Sequence, residues 1–313
     1  MHIRRKKPVS LFFTILMFLT LFCLSNSLGA DSFSTADGLR ISVNGTLDWE
    51  RKELAASTEL HLNSAGIRSP LGRSQAEEIL REEYPGLIKS LLFSLQVDSF
   101  STIEDLIERG ELSLRELDAI YSRAHRRPPN FSLDLTRFSG SYTIDLNNVS
   151  ASLSRHEWPS SIEMPLFPLP TTDYTGIIII ADSVLPVHGR NTSSLVQPCI
   201  FPKIWDTDMN LIFERNITDP SITASGQEMI VRYSRNENIF RPTPSGIDNE
   251  LIGITGERPL KIFARSVFGA VPTDPIIDRA DAMLILSSEN NRRLLREGRV
   301  VIILNDEVLR VDK

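Results

Sequence analysis

Four consecutive isoleucines, Ile177 to Ile180, constrain this chain more than any other stretch. Preceded by Tyr174-Thr175-Gly176, the run has the length of one strand, and its β-branched side chains suit a strand covered on both faces. So uniform a run has no periodicity to read, and its brevity and the glycine before it decide against a helix. It is expected at the centre of a sheet. The residues after it are of another kind: Pro186, His188, Gly189 and Asn191 mark a long loop, and Pro198, Cys199 and Pro202 lead into a short apolar stretch ending at Trp205 and Asp206. A proline-punctuated excursion from a rigid strand is a common location for function. The 182–210 loop, with His188, Arg190, Trp205, Asp206 and Asp208, is therefore the candidate interaction or ligand segment.

Arg4, Arg5, Lys6 and Lys7 precede an apolar run from Leu11 to Leu24, the pattern of a secretory signal peptide over residues 1–30. Cleavage is expected after Ala30. The alternatives are lipidation of Cys23, which would tether the protein to a membrane, and retention of the segment as an anchor. Each takes the chain out of the cytoplasm, to the periplasm or the vicinity of an outer membrane. Of 34 basic and 40 acidic side chains, four bases and no acids precede Asp31, so the remainder stands at −10. That balance argues against nucleic acid as a partner. Cys199 is the only cysteine beyond Ala30, which excludes an internal disulfide and leaves packed cores to hold the fold.

In chain order, Ile41, Val43 and Leu47 alternate with polar residues, as does the stretch from Leu54 to Leu62, which predicts a β-hairpin. From Ser74 the apolar residues recur at helical spacing, and Pro85-Gly86 predicts a kink or a division into two helices. A second helix follows Ser113, with Glu116 placed for a capping box, and Arg123, His125, Arg126 and Arg127 fall at its expected C-terminal end. The stretches 131–138 and 142–153 read as a hairpin turning at Ser139-Gly140. Pro159, Pro165, Pro168 and Pro170 mark a linker. Beyond it come short apolar runs at 211–213 and 229–233, a loop from Ser234 to Arg258, a strand over 261–268, a helix over 278–296 ended by Gly298, and a strand over 300–304. The tail after Asp306 is short and charged.

The expected architecture is α+β: two small α/β-type domains of mixed sheets with packed helices, joined by the Pro-rich linker. The domains are a signal peptide over 1–30, an N-terminal domain over 31–158, the linker over 159–171 and a C-terminal domain over 172–313. Motifs for chemistry are scarce. Asp206, Asp208 and Asn210 alternate as in a calcium loop, but Leu211 stands where that loop needs glycine and Ile217 where it needs a bidentate carboxylate, so a tight turn is the expectation. His61, His125, His156 and His188 show no ligand spacing, and no nucleophile elbow, P-loop or dinucleotide fingerprint occurs. Cys199, among apolar neighbours, is expected to be a buried, inert thiol. No metal, cofactor or catalytic residue is assigned.

Tyr174-Thr175-Gly176 with its aliphatic strand, Pro202-Lys203-Ile204 with Asp206 and Asp208, Arg265 to Gly269, Asp281-Ala282 and Val300 to Leu304 together carry a resemblance. So do Asn44-Gly45, Asp48-Trp49 and Leu91-Leu92. The chain resembles exported bacterial envelope proteins related to the lipoprotein family that includes the flagellar proteins FlgP and FlgT. In that group the strand continues as Asp-Ala-Arg-Gly, whereas here it continues as Ala181-Asp182-Ser183. The resemblance implies a non-enzymatic protein of an envelope assembly, flagellum-associated in many members, whose partners are other envelope or flagellar-assembly proteins. A periplasmic small-ligand-binding protein or hydrolase using the 182–210 loop is the alternative.

Overall fold

The computed structural model describes residues 31–34, 40–68, 71–224, 229–235 and 249–313. The expected signal peptide, with Cys23, lies outside them. The N-terminal domain runs β1 (Asp31–Ser34), β2 (Arg40–Asp48), β3 (Glu53–His61), α1 (Arg73–Phe93), β4 (Gln96–Asp98), β5 (Ser101–Thr102), α2 (Ile103–Glu108), α3 (Leu114–Ser122), β6 (His125–Phe131), β7 (Arg137–Asp145) and α4 (Leu146–Leu153). Strands β2, β3, β7 and β6 pair antiparallel in that order. Alternation places Ile41, Val43, Leu47, Leu54, Leu60, Phe138 and Ile144 on one buried face. Against it pack Ala76, Leu80, Leu87 and Ile88 of α1.

The structure departs from the sequence expectation at three places. Pro85 lies inside α1, which is not divided into two helices there. The carbonyl it cannot serve belongs to Arg81, an exposed residue, so the unserved acceptor lies on the solvent side of the helix. The turn placed at Ser139-Gly140 lies instead at 132–136, where Leu135 takes φ 55°, and the Asp134 carboxylate accepts bonds from the Ser132 hydroxyl and from Thr136. Gly140 sits within β7 because a Cβ there would come 3.0 Å from the Thr58 hydroxyl, and the residues after Asp145 form α4, capped by that aspartate. The Ser113–Glu116 capping box of α3 forms as expected, but only Arg123 is at the helix end. His125, Arg126 and Arg127 belong to the exposed strand β6.

The C-terminal domain comprises β8 (Ile177–Ile180), β9 (Leu185–Pro186), β10 (Ser193–Ser194), β11 (Ile204–Asp206), β12 (Leu211–Phe213), a 3-10 turn at Arg215–Ile217, α5 (Pro220–Ala224), β13 (Arg232–Arg235), α6 (Asn249–Thr255), β14 (Leu260–Phe268), β15 (Asp274–Ile277), α7 (Arg279–Leu286), α8 (Glu289–Arg296), β16 (Val300–Leu304), α9 (Asp306–Leu309) and β17 (Arg310–Asp312). Seven strands form one sheet in the order β12-β11-β15-β14-β8-β16-β13. The isoleucine strand β8 lies between β14 and β16 and parallel to both, with all four side chains buried. Ile177 and Ile179 enter the main core with Tyr233, Ile262 and Ile302. Ile178 and Ile180 face the other way, onto Leu251, Val301 and Ile303. Gly176 is required at the entry, since a Cβ would lie 2.4 Å from the Thr255 Cα.

The helix expected over 278–296 is two helices, broken at Ser287-Ser288, and Gly298 closes the second at φ 62°. Within the loop expected from Ser234 to Arg258, Ser234 and Arg235 belong to β13 and Asn249–Thr255 is helical; 236–248 lie outside the described residues. The tail read as merely charged is structural. Arg310–Asp312 pairs antiparallel with β2, and Lys313 exchanges backbone hydrogen bonds with Gly45 at 2.7 and 2.8 Å. The last residues of the span assigned to the C-terminal domain thus complete the N-terminal sheet.

The α+β architecture has two domains that share one hydrophobic cluster. At their junction the Trp49 ring meets Tyr233 edge-on, with centroids 5.8 Å apart, and Glu50 accepts from the Arg235 guanidinium at 2.8 Å. Ile200 and Phe201 donate backbone bonds to Gln96 and Val97 of β4.

Candidate contact surface

The five residues expected to act together from the 182–210 loop fall into two groups. His188 and Arg190 sit on the exposed turn after β9. The His188 backbone N–H donates to Val267 at 2.8 Å, its ring lies 6.2 Å from Phe268, and the Arg190 guanidinium donates to Ala270 at 3.3 Å. Trp205, half-buried on β11, meets the same Phe268 ring at 5.9 Å, as does Phe100 from the N-terminal domain. These contacts tie the loop to the end of β14.

Asp206 and Asp208 belong to the turn between β11 and β12. Asp206 is buried, unlike the surface acid the sequence suggests. One carboxylate oxygen accepts from the backbone N–H groups of Asp208 and Asn210 at 2.9 and 2.8 Å, and the other from the Asn210 amide at 2.8 Å. The acid is occupied in holding its own turn, where Met209 takes φ 61°. Asp208 is exposed and pairs with Arg279. Among the described residues no group of three or more His, Cys, Asp or Glu could hold a metal ion.

A polar node that the sequence does not announce lies beneath the loop. Asp274, fully buried, accepts from the Ser99 hydroxyl at 2.8 Å, the Thr273 hydroxyl at 2.8 Å and the Lys203 backbone N–H at 3.2 Å. Burial raises its pKa despite those bonds, which act to lower it. Nearby, the Tyr233 hydroxyl donates to the Cys199 carbonyl at 2.8 Å and accepts from the Cys199 N–H at 3.1 Å. Burial, and then Asp274, push the Cys199 thiol well above its ordinary value. A thiol so held is a weak nucleophile. The node fastens the two domains to each other.

The feature that faces outward lies between the domains, where the sequence reading sees a linker. Residues 159–170 carry no regular secondary structure, yet the segment is fixed at both ends. Ser160 donates to the Asn216 carbonyl at 2.6 Å and Leu169 to the Ser287 hydroxyl at 2.9 Å. Ile162 turns inward against the main core. Other large side chains do not: within the segment Met164 is 67% exposed, Leu166 92%, Phe167 84% and Leu169 44%, and Trp158 just before it is 81% exposed. Leu166 and Phe167 occupy a bend between Pro165 and Pro168, whose fixed φ angles limit how far the bend can fold back. Single exposed apolar residues are ordinary, whereas several on one short strap make a candidate contact surface. Sequence reasoning reads the prolines of this segment; its alternating Pro and large apolar residues were the available signal for a strap.

Residues 40–152 match the family model described as Treponema pallidum Tp0624, N-terminal domain, and residues 176–306 match that described as Treponema pallidum Tp0624, second domain. The chain is thus similar, in the same order, to two domains of one protein. The strap lies between the matched stretches and in neither. No curated protein matches the chain. None of the described helices is long and apolar enough to cross a membrane.

Proposed function

We propose that this is a non-enzymatic protein of the cell envelope, periplasmic or associated with an outer membrane, that works by contact with other proteins of an assembly. The observation that carries the reading is the strap, with Met164, Leu166 and Phe167 held outward between its two anchors and Trp158 exposed just before the first. Exposure of that kind costs about 25 cal/mol for each Å² of apolar surface left in water. It is tolerable in a protein that covers the surface when at work. Further support is that the polar groups beneath the 182–210 loop are spent on the protein's own structure. The resemblance to envelope lipoproteins suggests the setting, with a flagellum-associated assembly as one member of the class and Cys23 as a possible tether.

The test is a photoreactive residue placed at Phe167 in cells, with the same residue at Leu133, which is fully exposed on the β6–β7 turn of the N-terminal domain, as control. Crosslinked products should form from position 167 and be absent from position 133. Equal crosslinking at the two sites, or none at 167, would refute the contact surface.

A further inference from the structure

We infer that the strap of one molecule inserts into a pocket on a second copy of the same chain, so that the protein assembles head to tail. The inference rests on the contact role proposed above and names the partner. At the end of the sheet where β13 and β16 begin, a cavity of about 320 Å³ opens, lined by Ile222, Met229, Arg232, Ile254, Gly298 and Arg299 among others. That is the small end of the ~300–1,000 Å³ range in which compact ligands are held. Its lining joins the apolar Ile222, Met229 and Ile254 to the charged Arg232, Glu297 and Arg299. A pocket of this kind receives an apolar knob with one polar group beside it.

The charges decide between occupants. Arg299 is engaged, donating from Nε to the Ile254 carbonyl at 2.9 Å, and Glu297, also in the lining, faces Arg293 and Arg299. Arg232, half-buried in the lining, has no ion pair with any other described residue. The strap supplies the complement. Glu163 is exposed, likewise without an ion pair among the described residues, and stands three residues before the Leu166-Phe167 bend. A knob of Leu166 and Phe167 in the pocket would bring that carboxylate within reach of Arg232. Knob and pocket are different surfaces, so the contact is heterologous, and each molecule in a chain or ring would use both.

Sedimentation of the purified protein over a range of concentrations tests this, using Phe167→Asp in the knob and Arg232→Glu at the pocket. Both substitutions are at positions that leave the shared core untouched. The wild type should self-associate, and each variant should associate about tenfold more weakly or worse. Mixed together, the two variants should form dimers and nothing larger, because Phe167→Asp retains an intact pocket and Arg232→Glu an intact knob. A chain carrying both Glu163→Arg and Arg232→Glu should regain association. A wild type that remains monomeric, variants that associate as it does, or a mixture that gives no dimer would overturn the inference. A monomeric protein that still crosslinks to another envelope protein through position 167 would overturn it while leaving the contact role standing.

Discussion

Two apolar stretches separated by a few residues meet opposite fates in this molecule. Ile177 to Ile180 lose nearly all contact with solvent, whereas Leu166 and Phe167 keep 92% and 84% of theirs. Composition does not separate them; backbone hydrogen bonding does. The isoleucines can join a ladder, so β14 and β16 pair with them on both sides and the two faces of the sheet are closed by packing. The strap cannot, since Pro165 and Pro168 lack the donors a ladder needs. Burying such a backbone would strand its carbonyls, and it runs over the surface with its side chains directed outward.

The two stretches should respond most differently to charge substitution. Ile179→Asp should cost about 4 kcal/mol or more, because its neighbours on the flanking strands, Ile262 and Ile302, offer a carboxylate no partner. That is a large part of the ~5–15 kcal/mol typical of a domain. Urea unfolding should show a collapsed midpoint, and a midpoint near the wild-type value would mean that the strand is not central. Phe167→Asp, by contrast, should leave the midpoint within about 0.5 kcal/mol of wild type, since it removes no buried contact.

A similar contrast holds within the β11–β12 turn. Asp206→Ala leaves two backbone N–H groups and the Asn210 amide without their acceptor, and should cost about 1–3 kcal/mol. Asp208→Ala removes only an exposed ion pair and should cost about 0.5 kcal/mol or less. Thermal melts of the two variants check the order, and equal effects would deny the structural role of Asp206.

A smaller effect should appear with pH. The folded pKa of Asp274 is raised above its unfolded value, so the native state holds the proton more tightly between the two values. Its contribution is therefore most favourable below the unfolded pKa and declines as pH rises through the folded one. Asp274→Asn should remove that decline. Comparing the slope of unfolding free energy against pH above about 4 in the two proteins, where an isolated aspartate titrates, tests it; identical slopes would contradict the assignment.

Much of the fold could be read from local signals. The isoleucine strand, the β2–β3 hairpin, the Ser113–Glu116 box and the glycine at 298 each depend on neighbours in sequence. The misreadings arise where distant residues decide. Gly140 looks like a turn until Thr58 is placed against it, and Pro85 looks like a break until its side of α1 is known to face water. The tail gives no hint of its pairing with β2, because three residues of charged and apolar alternation carry no address. Of the candidate loop, the tight Asp206 turn was legible and its burial was not. The strap was visible as prolines, but the direction in which its side chains point is a property of the packed molecule.

A strap that is covered when the protein is at work should protect Met164 from oxidants. Met164 is 67% exposed on the strap and Met229 is 4% exposed in the core. Brief oxidation followed by mass spectrometry reads the sulfoxide at each position. In the purified, dilute protein Met164 should oxidise readily and Met229 slowly. In intact cells Met164 should fall towards the rate of Met229. Equally rapid oxidation of Met164 in both settings would show that nothing covers the strap, and would contradict the account.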